Sequence, residues 1–561
     1  MTRRTRVVAR ADARHVDFRL LDNRMTIRAV IAAALLAAGW AAVAAEPAAP
    51  EVQAAPEAPR TEAAAEPRFA IREFRISGAT LLDRREIERA VMPYLGDART
   101  FADVDKARAA IGSLYRERGF ETVTVDIPEQ SVKQGIVRLT VTERAIGELR
   151  VKGSRYFLPS RIRAAVAEAR AGKVPFLPQF KGELAVLNRI QRDRIVTPIL
   201  RAGRTADTVD IDLMVRDTLP LHGSLEVNNR YIRNTTHTRL NAAIRYDNLF
   251  QAAHSIGLQF QTSPEDTKEV QVFGASYVAP LSEPGRMLVG YAVNSNSDVA
   301  ALADTSVVGN GRIYGLRAVL PIHEGAGQSH SAILGADYKD FDETVQVLGE
   351  DSSTTPISYM PWNAQWNATW RRGQSNGNSL LGVTLGVRGL GNDEQEFADK
   401  RFNARPNFAI LRGNVDQNVP LPAGMQLGAA LDGQKADSPL ISNEQFFAGG
   451  QDSVRGYTEA QVFGDDGLRA SIELRSPNVG PRIGNLFDEG RAYLFYDWAR
   501  LYVQEPLPGQ AGRFALAGAG LGVRLEGQNL RLSLDGAIAL RDEGAVQDGD
   551  KRVHFSTEIK F

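Results

Sequence analysis

The stretch that decides the fold class ends the chain: RVHFSTEIKF, residues 552–561. Apolar Val553, Phe555 and Ile559 alternate with polar or charged residues, and the last residue is the apolar Phe561. Successive side chains of a β-strand point to opposite faces, so one face of this segment is apolar and the other is charged. This pattern is typical of a strand with lipid on one side and water on the other.

The same alternation recurs upstream, in TRLNAAIRY (238–246), SIGLQF (255–260), RMLVGYAV (286–293) and NLRLSLDGA (529–537). Segments of ~10 residues separated by turn residues are the signature of a transmembrane barrel, and we count about 16 of them in residues 217–561. A soluble all-β protein is the alternative, but it would bury stronger runs of Ile, Leu and Val. Three tryptophans share one face of residues 362–370: Trp362, Trp366 and Trp370. They predict either an aromatic girdle or ordinary packing along a strand.

The composition excludes several classes of function. Lys plus Arg and Asp plus Glu balance at 67 each, so no net charge points to nucleic acid. The chain has no cysteine, which excludes thiolate metal sites and thiol nucleophiles and suits an exported protein. The seven histidines show no paired spacing that would indicate zinc. We expect no cofactor and no metal.

The N-terminal part predicts export. From Met25, a short basic region precedes an apolar stretch and an A-x-A cleavage pattern, so residues 1–45 are interpreted as an N-terminal extension and signal peptide, with Met25 as the true start. Residues 46–68 are rich in Ala, Pro and Glu and predict a semi-extended linker.

Two small α/β modules are predicted before the barrel, in residues 69–144 and 145–216. In the first, helical periodicity over residues 83–94 and 103–118 follows one strand and precedes strands near 120–127 and 135–142. The second repeats this βααββ order. A repeat of the same order of elements indicates tandem domains.

A long interval without strand alternation, residues 434–466, follows the eleventh strand by our count and contains FFAGGQDSVRGY (446–457). A loop of this length in a compact domain is usually functional. An arginine beside flexible glycines suits two-pronged binding of a carboxylate, although an ordinary surface loop can also contain an arginine. The candidate residues of this motif loop are Phe446, Phe447, Gly449, Gly450, Ser453, Val454, Arg455, Gly456 and Tyr457.

Strand parity predicts the partners of Arg455. In the next two strands, Glu473, Phe495 and Asp497 fall on the face that points into the barrel. We therefore expect the loop to fold inward and Arg455 to dock on Asp497 with Glu473 nearby; unpaired charges in a polar lumen are the alternative. No nucleophile elbow or phosphate-binding loop is present, and the glycines of residues 518–522 indicate close packing, so we expect no enzyme activity.

These motifs carry a resemblance. VRGY (454–457), IPEQ (127–130), FYDWA (495–499), the paired modules and the terminal Phe561 resemble the two-partner secretion transporters of the haemolysin secretion/activation and filamentous-haemagglutinin transporter type. That family belongs to the superfamily of outer-membrane barrels with POTRA (polypeptide-transport-associated) domains. The second module matches less closely than the first, and Ala499 stands where the family has glycine.

The resemblance implies a fold, a location and a function. The fold is two periplasmic POTRA domains followed by a ~16-stranded antiparallel barrel in the Gram-negative outer membrane. The function is recognition of an unfolded partner exoprotein, an adhesin or a cytolysin, and its secretion without nucleotide or nucleic acid. The client would add to the edge strand of the first POTRA domain, bordered by Phe120, Val123 and Val125, although core packing explains these residues equally well. Phe561 would be the signal for insertion into outer-membrane lipid by the barrel-assembly machinery.

Two rival functions are compatible with the same fold. A barrel-assembly insertase shares the barrel and the motif loop but usually carries another number of POTRA modules. A passive porin has neither the periplasmic modules nor the VRGY loop.

Overall fold

The computed structural model describes residues 67–132, 134–297, 299–302, 305–308, 310–345, 353–390 and 393–561. The predicted signal peptide, the start at Met25 and nearly all of the predicted linker lie outside these residues. No helix among the described residues combines the length and apolar character needed to cross a membrane.

The first module has two helices packed on a small mixed sheet. Its elements are β1 (Phe69–Ile71), β2 (Glu73–Ser77), α1 (Arg84–Val91), a 3₁₀ turn (Met92–Tyr94), β3 (Gly96–Arg99), α2 (Phe101–Glu117), β4 (Thr124–Asp126) and β5 (Ile136–Thr142). The sheet order is β2-β5-β4, with β2 parallel and β4 antiparallel to β5. The predicted helices are confirmed, but the strand expected over residues 120–127 is only three residues long.

Capping residues mark the start of both helices. Asp83 caps α1 by accepting a hydrogen bond of 2.9 Å from the Arg85 amide, and Thr100 and Asp103 form a capping box at α2.

In the same module, burial alone would raise the pKa of Glu143. Hydrogen bonds from Thr80, Leu81 and Tyr115 outweigh burial and hold that pKa below its ordinary value.

The second module repeats the arrangement. Its elements are β6 (Ala145–Lys152), α3 (Pro159–Ala164), a 3₁₀ turn (Ala167–Ala169), α4 (Leu177–Ile190), β7 (Arg194–Ala202) and β8 (Thr208–Asp217). The order β6-β8-β7 matches β2-β5-β4 strand for strand, so the predicted tandem order is present in the structure. Asp212 is fully buried on β8, and hydrogen bonds from Lys152 and Arg150, both 2.8 Å long, lower its pKa to about 2.

The rest of the chain closes into an antiparallel β-barrel. Its strands are β9 (Leu221–Asn228), β10 (Arg239–Leu249), β11 (His254–Thr262), β12 (Gln271–Pro280), β13 (Met287–Ser295), β16 (Gly311–Gly325), β17 (Gln328–Val345), β18 (Ser353–Tyr359), β19 (Trp362–Arg372), β20 (Ser375–Leu385), β21 (Ala409–Pro420), β22 (Gln426–Ala436), β25 (Asp466–Arg475), β26 (Glu489–Tyr502), β27 (Arg513–Glu526), β28 (Leu530–Ala539) and β29 (Lys551–Lys560). The remaining elements are not part of the barrel wall: β14 (Val299–Leu302), β15 (Thr305–Val308), α5 (Glu394–Lys400), β23 (Phe446–Ala448), β24 (Val462–Gly464) and α6 (Gly480–Ile483).

The barrel has 16 strands in the described part of the chain, because β18 and β19 are one strand interrupted at Pro361. Both pair with β17, and the Pro361 carbonyl accepts a hydrogen bond of 3.1 Å from Asp337 between the two ladders. Proline has no N–H to donate, so the interruption at this residue is expected. The predicted antiparallel barrel of about 16 strands is confirmed.

The predicted alternation separates lipid from lumen. On β26, Leu494 and Tyr496 are 52% and 48% exposed on the outer surface, whereas Phe495 and Asp497 between them are buried inside. The three tryptophans of β19 face outward, but they are four residues apart, or ~13 Å along the strand. They therefore do not form one girdle, and the interpretation as packing along a strand is the better one.

The lumen is not uniformly polar, although the alternation predicted a polar inner face for each strand. A cluster of buried apolar side chains lies at the end of the lumen opposite the two modules, where β12, β13, β16, β17, β18, β21 and β22 meet three loop segments. Alternation identifies the inner face of each strand, but it does not reveal what a loop from elsewhere in the chain packs against that face.

Candidate functional site

The loop that joins β22 to β25, residues 437–465, folds back into the barrel lumen. Three residues expected in the loop, 434–436, belong to β22 instead, and within the loop β23 pairs with β24. Phe446 is 8% exposed, and the Arg469 guanidinium lies 5.3 Å from the centre of its ring. Phe447 contacts Phe463 across the β23–β24 pair, with ring centres 6.1 Å apart. The two phenylalanines thus anchor the first half of the loop.

Glycines shape the tip of the loop. Gly449 and Gly450 have φ angles of +113° and +107°, a region that other residues rarely adopt. A Cβ on Gly450 would also lie 2.1 Å from a carboxylate oxygen of Glu459. The turn is closed by Ser453, whose hydroxyl accepts a hydrogen bond of 3.2 Å from the Gly449 amide. The turn presents Arg455 to the barrel wall.

Arg455 makes a two-pronged contact with Asp497 on β26. Its Nε donates to Oδ2 at 2.7 Å and one terminal nitrogen donates to Oδ1 at 2.8 Å, while its backbone amide donates to Oδ2 at 3.1 Å. The other terminal nitrogen donates to Glu473 on β25 at 2.9 Å. Arg455, Asp497 and Glu473 are 4%, 0% and 8% exposed, so these charges are removed from water. The structure brings Arg455 together with Asp497 and Glu473, the two carboxylates that strand parity placed on the inner face.

Aromatic rings and a glycine complete the contact. The Arg455 guanidinium lies 3.4 Å from the centre of the Phe495 ring and 6.0 Å from that of Tyr493, within the range of cation–π attraction. A Cβ on Gly518 of β27 would lie 1.9 Å from the Arg455 carbonyl oxygen. The glycine pattern of residues 518–522 therefore permits close packing, as the sequence indicated.

A third carboxylate was missed by the sequence analysis. Asp535 on β28 lies 3.5 Å from an Arg455 nitrogen, accepts a hydrogen bond of 2.5 Å from the Tyr493 hydroxyl and contacts the Gln451 amide of the loop at 3.4 Å. The signal was present, because the alternation that put Asp497 inside puts Asp535 inside as well. Arg475 and Arg524 approach Glu473 at 2.7 Å and 3.9 Å and offset the surplus of negative charge.

Tyr457 packs on the barrel wall rather than on the Arg455 guanidinium. Its hydroxyl donates to the Arg541 carbonyl at 2.8 Å and lies 3.1 Å from the Ala517 carbonyl. It packs in an apolar cluster with Val454 and Ala499, all three fully buried. Gly456 has a φ angle of +105°, which lets the chain turn from Arg455 to Tyr457. Tyr457 therefore fastens the second half of the loop to the wall.

The side chains predicted to border the client groove lie elsewhere in the structure. Val123 and Val125 are 8% and 5% exposed and belong to the core of the first module, and Phe120 packs against that core. Val123 and Val125 point to the face of the sheet that carries the helices, so they fill the core and do not border the free edge of β4. What the strand offers is the backbone of β4, which is at the edge of its sheet.

Phe561 lies where the barrel closes. Its backbone exchanges hydrogen bonds of 2.9 Å and 3.0 Å with Gly223, and its ring is 67% exposed on the outer surface. A Cβ on Gly223 would lie 2.2 Å from that ring. The last residue therefore extends the ladder between β29 and β9.

Among the described residues, one group brings three potential metal ligands within 4.8 Å: Asp193, His222 and Asp247. The His222 ring lies 3.0 Å from Asp193 and 3.6 Å from Asp247. Arg245 already donates to both oxygens of Asp247 at 2.9 Å. The side chains of this group therefore already have partners in each other and in Arg245, at the junction of the second module and the barrel.

Comparison with known proteins adds independent findings. The family model described as haemolysin secretion/activation protein ShlB/FhaC/HecB matches residues 207–525, and the model of the ShlB-type POTRA domain matches residues 69–143. The outer membrane transporter CdiB of Escherichia coli O6:K15:H31 is 27% identical over 480 residues, which cover 82% of this chain and 78% of that protein.

Solved structures show the same fold. CdiB from Escherichia coli gives a TM-score of 0.57 at 18% identity and covers 90% of this chain and 93% of its own. BamA from Haemophilus ducreyi lacking POTRA domains 1–3 gives 0.55 at 16% identity and covers 88% and 100%. These two scores do not separate the two kinds of barrel, whereas the family model, which spans more than half of this chain, does.

Proposed function

This chain belongs to the haemolysin secretion/activation protein family, and we propose that its barrel passes an unfolded partner protein, captured in the periplasm by the N-terminal modules, to the cell surface. Membership makes it an outer-membrane transporter of two-partner secretion, with its POTRA domain in the periplasm. The observation that carries the proposal is the family match over a closed barrel whose lumen is filled by its own docked loop. A filled lumen requires a change of state before a polypeptide can pass.

The experiment compares a strain that lacks the gene with the same strain complemented by it. We expect one large protein to disappear from the medium of the deletion strain and to return on complementation. A general loss of outer-membrane proteins would favour the insertase instead. Slower uptake of small solutes with an unchanged medium would favour the porin.

Capture of the client is proposed at the first module, because the outer edge of β7 in the second module is already occupied. On β7, the Asn188 amide bonds both backbone groups of Val196, at 2.8 Å and 3.0 Å, and Pro198 offers no N–H. In the first module, the central strand β5 extends past its short ladder with β4, and there the Gln130 amide of the IPEQ motif bonds both backbone groups of Arg138, at 2.6 Å and 2.7 Å. These side chains protect the edges against indiscriminate pairing.

The free edge of β4 runs beside an apolar groove. The groove has a volume of about 420 Å³ and lies between the start of α2 and the segment that follows β4. Its lining residues include Phe69, Phe101, Val104, Ile127 and Val132. Phe101 is 62% exposed, so an apolar side chain from outside can bury part of it. An extended client would pair its backbone with β4 and place one apolar side chain in this groove.

We assign the Arg455 contact to the resting state of the pore. The contact connects the loop tip with β25, β26 and β28, three of the 16 strands. Because it is buried and uses both prongs of the guanidinium, it selects one position of the loop rather than many. A transporter without this contact would keep its barrel but not its ordered loop.

A further inference from the structure

The extracellular end of the lumen contains an apolar layer, which we call the luminal cap. It consists of inward-facing strand residues and of loop residues that pack on them. The strand residues include Val272, Val293, Ile313, Phe341, Ile357 and Ile410, and the loop residues are Phe397, Ala404, Phe408, Leu440 and Ile441.

Parity shows that these side chains point inward. On β12, Val272 is fully buried while the next residue, Phe273, is 54% exposed to the lipid side. On β21, Ile410 is fully buried while Leu411 is 47% exposed. On these two strands the wall is therefore apolar on both faces at this level, which is unlike the polar interior of a water-filled barrel. A layer of this kind excludes water and dissolved solutes.

The loop between β20 and β21 supplies the removable part of the cap. Within its described residues 393–408, α5 inserts Phe397, which is 1% exposed and packs edge-on against Tyr359 with ring centres 5.6 Å apart. By contrast, Phe402 in the same loop is 57% exposed. The loop thus buries two of its three phenylalanines, Phe397 and Phe408, in the lumen.

Arg401 fastens this loop to the end of the motif loop. It bonds both oxygens of Asp465, one of them at 2.7 Å, and donates to the Leu440 and Gln504 carbonyls at 2.5 Å and 2.9 Å. Asp465 is fully buried and also accepts from the Leu440 amide at 3.0 Å. Without Arg401, Asp465 would keep its bonds from backbone amides but lose its cation, and the Leu440 and Gln504 carbonyls would lose the bonds from the guanidinium.

Glu444 fastens the opposite arm of the motif loop. It is 1% exposed and accepts hydrogen bonds from the Lys339 ammonium at 2.5 Å and the Tyr359 hydroxyl at 2.9 Å, with Arg412 at 3.3 Å. Lys339 and Arg412 are on β17 and β21, across the lumen from the strands that hold Arg455. The cap therefore has ionic contacts that share no residue with the Arg455 contact.

We propose that the luminal cap is a permeability seal separate from the Arg455 contact, and that Arg401 is the residue that positions it. The inference rests on the proposed function of the barrel as a conduit. The client must displace the 393–408 loop outward, since this segment closes the lumen and is connected to the wall through side chains rather than through a strand ladder. Between clients the cap prevents leakage of solutes.

The test is ion conductance of the purified full-length protein in planar lipid bilayers. Arg401→Ala leaves Asp465 buried without its cation, and Phe397→Asp places a charge in the apolar layer. Each should raise the time-averaged conductance at least about tenfold, the change that ~1.4 kcal/mol brings. The matched controls are Arg405→Ala and Phe402→Ser, which change exposed side chains of the same loop and should conduct like the wild type.

Barrel folding is verified for each variant by heat-modifiable migration. If Phe397→Asp does not fold, Arg401→Ala decides the question alone. Wild-type conductance in a folded Arg401→Ala protein would overturn the proposal, and so would an equal rise in the controls. Because conductance is measured without a client, it fails or succeeds independently of whether deletion of the gene changes the medium.

Discussion

Replacing Arg455 with alanine should abolish secretion while the barrel still inserts. The magnitude follows from burial: an exposed ion pair would contribute only ~0–1 kcal/mol. Here Asp497 is fully buried, and removing the cation leaves it uncompensated, whereas Glu473 keeps its ion pair with Arg475. The cost of breaking a buried pair is roughly 3–5 kcal/mol, which shifts the docked loop towards undocked states by roughly 10²- to 10⁴-fold. The strand ladders do not contain Arg455, so the wall remains.

The assay is the amount of partner protein in the medium, normalised to transporter in the outer membrane, together with hydrogen exchange of residues 446–457. Arg455→Lys should also fail, since an ammonium cannot make the two-pronged contact. Asp497→Ala should be milder than Arg455→Ala, because Glu473 and Asp535 still pair with the arginine. Arg500→Ala, at an exposed position of the same strand as Asp497, is the control. Normal secretion by Arg455→Ala with an exchange-protected loop would refute the reasoning.

Three further predictions follow from the modules and the seam. Phe101→Asp should weaken capture of the client and lower secretion, whereas Met92→Asp, 61% exposed elsewhere on the same module, should not; equal effects would place the client site elsewhere. Deleting Phe561 removes two hydrogen bonds from the barrel seam and should reduce heat-modifiable barrel in outer membranes, as should Gly223→Val, whose side chain would meet the Phe561 ring; full assembly of both would contradict the role given to this residue. Asp212 has a folded pKa of about 2 against an ordinary 3.8, so its ion pairs stabilise the second module above pH 3.8 and lose that effect as pH falls towards 2. Asp212→Asn should remove this acid-dependent step from hydrogen exchange of β7 and β8, and an unchanged step would assign it to another group.

The barrel and the Arg455 contact could be predicted because both depend on parity. Once residues 466–475 and 489–502 are recognised as strands, the inward position of Glu473 and Asp497 follows from geometry alone. Asp535 was predictable by the same rule. It was missed because its strand is two further along the chain, and only the inward fold of the motif loop brings Asp535 beside Arg455.

The luminal cap and the client edge were not predictable in this way. An inward-facing Ile410 looks the same in sequence whether the lumen beside it holds water or Phe397. Val123 and Val125 alternate as an edge strand should, but alternation does not tell which of the two faces carries the helices. In both cases the deciding contacts come from segments distant in the chain, and no local pattern reports them.

The motif loop also connects parts of the barrel that are weakly joined by strand pairing. The ladder between β29 and β9 pairs five residues, whereas β9 and β10 pair eight. Asn229 still exchanges hydrogen bonds with the backbone of Phe555. Beyond it the chain meets the loop, with the Arg230 guanidinium 2.7 Å from Asp452 and the Tyr231 carbonyl accepting from the Glu459 amide at 3.2 Å. On its other side the loop is held by β25, β26 and β28 through Arg455. The loop therefore spans the short seam from within the lumen, and a client that displaces it loosens the pore and its seam in one step.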